Sequence, residues 1–131
     1  MTYSIGQLAK ATDTGIETIR YYERRGLMPE PPRAASGYRR YPADAVQRLR
    51  FIRRSKRLGF TLDEISALLQ LQAGGQRADI KAIAEAKLEE IETRLDDLQR
   101  MRTTLEDMTR RCSGHGPVEG CPIIETLNDN E

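Results

Sequence analysis

Both cysteines of the sequence, Cys112 and Cys121, sit at the rims of one short segment, CSGHGPVEGC, and Pro122, Ile123 and Ile124 follow at once. Gly114, Gly116 and Gly120 let that segment turn tightly enough to bring two sulfurs together. Metal ligation, a disulfide and a pair of inert thiols are the three chemistries open to it. No apolar run is long enough to span a membrane, and the first residues, MTYSIGQLAK, lack the apolar centre of a signal peptide. The expected compartment is the cytoplasm, with no membrane partner, and a cysteine pair there is more often a metal or redox site than a structural disulfide. Two thiolates suit a soft ion such as Cu(I), Ag(I), Au(I) or Hg(II), whereas Zn(II) normally takes four ligands. His115 is a candidate extra donor, or a bystander in the same loop. Both thiols must lose their protons to bind, so affinity should rise with pH.

The elements that position this loop differ in charge along the chain. Residues 1–60 hold 13 Lys and Arg against 5 Asp and Glu, and residues 61–131 hold 8 against 15. The basic half is suited to a polyanion, or is simply a solvated basic face. In it, residues 5–12 read as a short helix with Ile5, Leu8 and Ala9 on one face. Asp13 or Thr14 is the expected N-cap of a second helix, residues 16–25, which carries Ile16, Ile19 and Tyr22 or Glu23 at helical spacing and stops at Gly26. Two short helices on a tight turn make a helix-turn-helix, and the proline-broken stretch 28–33 with the basic run 35–41 makes a hairpin wing behind it. Tyr41 is a core candidate, and Tyr38 is a candidate wing-tip contact.

Pro42 is expected to open a third helix, residues 43–58, with Val46, Leu49 and Ile52 facing inward and Arg48, Arg50, Arg53, Arg54 and Lys56 supplying charge. Thr61 and Glu64 form a capping box for a fourth helix carrying Ile65, Leu68 and Leu69, which residues 73–76 break. Residues 77–110 then contain neither Pro nor Gly. Ala84, Leu88, Ile91, Leu95, Leu98 and Leu105 follow a heptad seam, in which Arg102 takes the place of an apolar residue and Met101 is its nearest substitute. A lone helix would leave that seam wet, so it must meet a second copy or fold back on its own chain. Symmetric pairing is the economical solution. An enzyme is not expected: there is no phosphate-binding glycine loop and no nucleophile with a base beside it. A redox switch acting through the two thiols on DNA binding remains an alternative.

Taken together, residues 5–10 (IGQLAK), 17–23 (ETIRYYE), 25–27 (RGL), 37–41 (GYRRY), 58–65 (LGFTLDEI) and the loop from Cys112 to Cys121 resemble the MerR family of bacterial transcription regulators. The similarity covers essentially the whole chain, and the closing CPIIE at residues 121–125 resembles the heavy-metal-sensing branch. The resemblance implies a mainly α fold in three parts: a winged helix-turn-helix DNA-binding domain at 1–72, a dimerisation helix forming an antiparallel coiled coil at 77–111, and a metal-binding loop and tail at 112–131. It implies a homodimer on a promoter palindrome that distorts double-stranded DNA when metal binds, for the benefit of RNA polymerase on the same promoter.

By the same resemblance, Arg20 and Tyr21 match recognition-helix contacts to DNA, with Thr18 facing the same groove. Tyr38 and Arg39 match a wing-tip pair that grips phosphate, and Arg33 and Lys56 match further phosphate contacts. Cys112 and Cys121 are the implied metal ligands. Members sensing divalent ions place a third, cysteine ligand at the start of the partner's long helix, and copper and gold sensors place a serine there. This sequence has Arg77, matching neither. Two thiolates around a monovalent ion keep a negative charge that Arg77, Lys81 and a helix N-terminus would stabilise. On that ground Cu(I), Ag(I) or Au(I) is the expected inducer and Hg(II) the next. Zn(II), Cd(II) and Pb(II) rank below them. The loop's length points instead to mercury regulators, which share its eight residues between cysteines.

Overall fold

The computed structural model describes all residues except 33, 34, 36, 130 and 131. A strand, β1 (Thr2–Tyr3), leads into helix α1 (Ile5–Thr12) through a complete capping box. Ser4 Oγ accepts from the Gln7 amide at 3.2 Å, and Gln7 Oε1 accepts from the Ser4 amide at 2.9 Å. The pair satisfies donors that any first helical turn leaves open. Asp13 closes the helix in the left-handed conformation (φ 51°), its amide donating to the carbonyls of Ala9 and Lys10. This corrects the expected cap: Asp13 is spent on α1, and α2 (Ile16–Arg24) begins at Gly15 with no side-chain bond. Thr14 is no cap either, since its hydroxyl donates back to the Thr12 carbonyl at 3.1 Å.

Helix α2 stops one residue short of the expected end, and Gly26 (φ 76°) turns the chain so that the Leu27 amide reaches the Tyr22 carbonyl at 2.9 Å. That reversal drives Leu27 and Met28 into the core. The basic run ends in β2 (Tyr41–Pro42), whose antiparallel partner is β1, Thr2 facing Pro42 and Tyr3 facing Tyr41. This pairing with the N-terminal segment was not expected; Arg39 also stands in a β-bridge, and the first arm of the expected hairpin lies partly outside the described residues. Pro42 belongs to this strand, and α3 (Asp44–Arg57) starts one residue later than expected, after Ala43 as its N-cap. Arg53 reaches the carbonyls of Thr12 and Asp13 at 2.8 and 2.7 Å and the Asp13 carboxylate at 3.0 Å, a cation on the negative end of α1. Arg48 donates to the Leu27 carbonyl.

Helix α4 (Leu62–Gly74) opens with both bonds of the expected box, Glu64 amide to Thr61 Oγ1 at 3.2 Å and Thr61 amide to Glu64 Oε1 at 2.7 Å. Leu8, Ile19, Tyr22, Tyr41, Val46, Leu49, Ile52, Ile65 and Leu69 share one core with Leu27 and Met28. Helical spacing places the helical ones there, as anticipated for Leu8, Ile19, Val46, Leu49, Ile52, Ile65 and Leu69.

Helix α5 runs unbroken from Arg77 to Arg111. By contact the chain divides into two units, residues 1–87 and 88–131. In the second, Leu88, Ile91, Leu95, Leu98, Met101 and Leu105 remain 40% to 60% exposed, and Met108 is the buried apolar residue. A further helix, α6 (Pro122–Leu127), with Pro at its first position, follows the cysteine loop.

Candidate nucleic-acid interface and thiol site

Helix α2 exposes Thr18, Arg20 and Tyr21 while burying Ile19 and Tyr22. Helical periodicity alone separates these two faces. Among the described residues Arg20 has only a long contact to an exposed Glu17 carboxylate, 3.9 Å. The Tyr21 hydroxyl accepts from Arg25 at 3.0 Å, and the guanidinium carbons of Arg24 and Arg25 each lie 5.8 Å from its ring centre. Arg25 also pairs with Asp63 at 3.1 Å, which ties α2 to the start of α4. Its pKa is raised, first by the Tyr21 hydrogen bond.

Beside α2, a groove of about 590 Å³ is lined by Arg20, Tyr38, Arg39, Arg40 and Tyr41, among others. Tyr38 stands 75% exposed at its edge. Arg40 donates to the hydroxyl and carbonyl of Thr2 at 3.1 and 3.2 Å, both neutral acceptors. Arg39 is placed differently. Its guanidinium pairs with Glu30 and with Glu23 Oε1, the latter at 3.7 Å. The Glu23 side chain is only 6% exposed, and its other oxygen accepts the Tyr41 hydroxyl at 2.8 Å. Burial and then the neighbouring carboxylate push the Tyr41 phenol up to about 12. Helical spacing set Glu23 with Tyr22 beside Ile16 and Ile19, but gave it no partner. Its signal was an acid on the very helix meant to meet a polyanion, which calls for a compensating cation. Lys56 is exposed near the end of α3, as are Arg54 and Arg57. Arg33 lies outside the described residues.

The two cysteines are brought together. Cys112 follows α5 and its amide donates to the Thr109 carbonyl at 3.3 Å, while the Cys121 amide donates to the Val118 carbonyl at 3.0 Å. Both are free thiols and half-buried. Cys121 is the N-cap of α6. The amides of Ile124 and Ile123 favour its thiolate and lower its pKa, burial opposes them, and a hydrogen bond from the Cys112 side chain adds to the lowering. Gly114, Gly116 and Gly120 all have positive φ, 79°, 93° and 79°, which is what folds eight intervening residues back on themselves. His115 is exposed, its amide bound to Ser113 Oγ at 3.2 Å. Among the described residues no three His, Cys, Asp or Glu side chains converge as metal ligands, so His115 does not join the thiols within one chain. Arg77 and Lys81 are exposed in the first turns of α5. The donor set is therefore two adjacent thiols, one already biased toward its anion, and it fits a thiophilic ion.

Residues 3–72 match the model of the MerR HTH family regulatory proteins, and residues 46–108 match the MerR DNA-binding model. The chain is 43% identical to a mercuric resistance operon regulatory protein of Bacillus cereus over 129 residues, covering 97% of this chain and 98% of that protein. It resembles the crystal structure of PbrR691 from Ralstonia metallidurans in complex with lead(II), at 34% identity and TM-score 0.85, covering 97% and 99% of the two chains. The mercury(II) complex of MerR from Bacillus megaterium is similar at 39% identity and TM-score 0.74, covering 97% of this chain and all of that one (100%).

Proposed function

The chain belongs to the MerR family of helix-turn-helix regulatory proteins, and from that premise we propose that it is a metal-responsive transcription regulator binding promoter DNA as a homodimer. In this reading residues 1–72 hold DNA, 77–111 pair two copies through the exposed seam, and 112–131 hold the metal. Thr18, Arg20 and Tyr21 enter the groove, and Tyr38, Arg33 and Lys56 meet the backbone. Phosphate contacts set register and base contacts set sequence preference. Cys112 and Cys121 hold the ion, and the observation that carries the reading is their mutual approach on a glycine-built loop.

The ion supplies a soft centre that ties the two thiolates together when bound. It acts on transcription only through a difference in affinity for two states of the dimer on DNA. Smooth bending of a site of this size costs roughly 1–6 kcal/mol, which a ligand preferring the distorted state by several decades is able to offset. RNA polymerase then engages promoter elements whose spacing is otherwise unsuited to it.

For the ion itself the order expected from the sequence is revised. The relatives bind or are named for mercury and lead, and the loop length also favours Hg(II), which we therefore place first. Cu(I), Ag(I) and Au(I) form a second reading, favoured by Arg77 standing where a third thiolate is otherwise implied; Zn(II) is third. Purified, reduced dimer titrated with Hg(II), Cu(I), Ag(I) and Zn(II), with promoter transcription as readout, decides among them. Response to Zn(II) alone overturns the two-thiolate site, and response to oxidant in metal-free buffer supports a redox switch instead.

A further inference from the structure

We infer that Glu23 is a positioning residue for DNA binding: with Tyr41 it clamps Arg39 as a strut between recognition helix and wing, and Arg39 serves through that geometry instead of as a phosphate ligand. The inference rests on the DNA-binding reading above. Glu23 belongs to α2, and Arg39 and Tyr41 belong to the basic stretch that follows the wing turn. One carboxylate joins them, Oε2 taking the Tyr41 hydroxyl at 2.8 Å and Oε1 facing Arg39 at 3.7 Å. Glu30 closes the other side of the guanidinium.

An acid on a helix that meets DNA repels phosphate unless its charge is already answered. Glu23 is answered within the fold: its side chain is 6% exposed and both of its oxygens are engaged. Breaking such a pair leaves a buried charge without compensation, so the arrangement is held firmly. Arg39, shared by two carboxylates, would have to surrender them to grip phosphate. Its neighbours face no such exchange. Among the described residues Arg40 bonds neutral oxygens of Thr2, and Arg20 is 3.9 Å from an exposed Glu17. The groove's cations for phosphate are thus Arg20 and Arg40, and the Glu23–Arg39 pair sets the angle at which helix and wing present them.

The sign of one substitution separates the two roles. A duplex recovered with the wild-type dimer from a random DNA library serves as probe, and affinity is measured across a salt series, with thermal unfolding of each variant alongside. Under the strut, Glu23→Gln weakens binding about tenfold although it removes a negative charge, and Arg39→Met weakens it as much. The double variant is no weaker than either single one, and the salt slope stays at the wild-type value. Arg39→Lys, which keeps the charge but not the planar fork, is also weak and needs no change at the buried carboxylate. Tighter binding by Glu23→Gln, or a slope lowered by about one unit in Arg39→Met with Arg39→Lys nearly normal, overturns the inference and returns Arg39 to phosphate. Failure of the wild-type dimer to recover any duplex instead defeats the DNA-binding reading itself.

Discussion

Two side chains illustrate how a local environment decides what a residue does. Cys121 gains its anionic bias from the amides of Ile124 and Ile123 at the start of α6, an element that none of the heptad or capping signals announced. Replacing Cys112 or Cys121 by Ser is expected to abolish metal-induced transcription while leaving DNA binding by the metal-free dimer intact, as read by promoter transcription and gel shift. Retained induction in either variant removes both residues from the site. Tyr41 is fully buried and its phenol holds its proton to about 12, against an ordinary value of 10.0. In alkali the unfolded chain ionises this phenol first, so its contribution to stability is present below pH 10 and is lost as pH rises toward 12. Tyr41→Phe should therefore flatten the fall in melting temperature over that window. It should also lower stability at neutral pH by about 1–3 kcal/mol, because Glu23 loses a buried partner.

Helix ends hold the DNA-binding unit together, and Glu64 shows how one side chain serves two elements. It closes the Thr61 box and also takes the buried Lys87 of α5 at 3.0 Å, the ammonium lying 5.7 Å from the Phe60 ring centre. Thr61→Ala should cost about 1 kcal/mol, the usual worth of a lost cap. Lys87→Met should perturb the same carboxylate, so the two substitutions are not additive, and a double-mutant cycle in urea measures the difference. The Thr61 amide, followed by Lys87, lowers the pKa of Glu64. Its contribution is therefore present above the unfolded carboxyl pKa and is lost as pH falls through the folded value. Glu64→Gln should make the acid side of the stability profile shallower, and an unchanged acid limb would remove Glu64 from that account.

At the scale of the whole molecule, the proposed homodimer rests on one exposed apolar stripe. Leu88, Ile91, Leu95, Leu98, Met101 and Leu105 form a stripe on α5 that is about half exposed, more apolar surface than one soluble helix normally leaves open. Pairing two such stripes also supplies two DNA-binding units, which a palindromic site requires. Leu95→Glu places a charge at the middle of the seam. It should shift sedimentation from dimer to monomer and weaken DNA binding by several decades of affinity, with the fold of residues 1–87 preserved. A variant that sediments as a dimer would place the pairing surface elsewhere.

Much of this was legible in residue order. The capping box of Thr61 and Glu64, the long helix from Arg77, the inward residues Leu8, Ile19 and Ile52 and the juxtaposed cysteines all follow from local spacing and turn chemistry, which act over a few residues. Three things did not follow. Asp13 left its expected cap to close α1, the basic strand paired with Thr2 and Tyr3 at the far end of the unit, and Arg39 turned from an exposed tip to the Glu23 carboxylate. Each is a choice among partners distant in sequence, and burial makes that choice: a charge or a strand edge taken out of water must find its complement wherever the packed chain brings one.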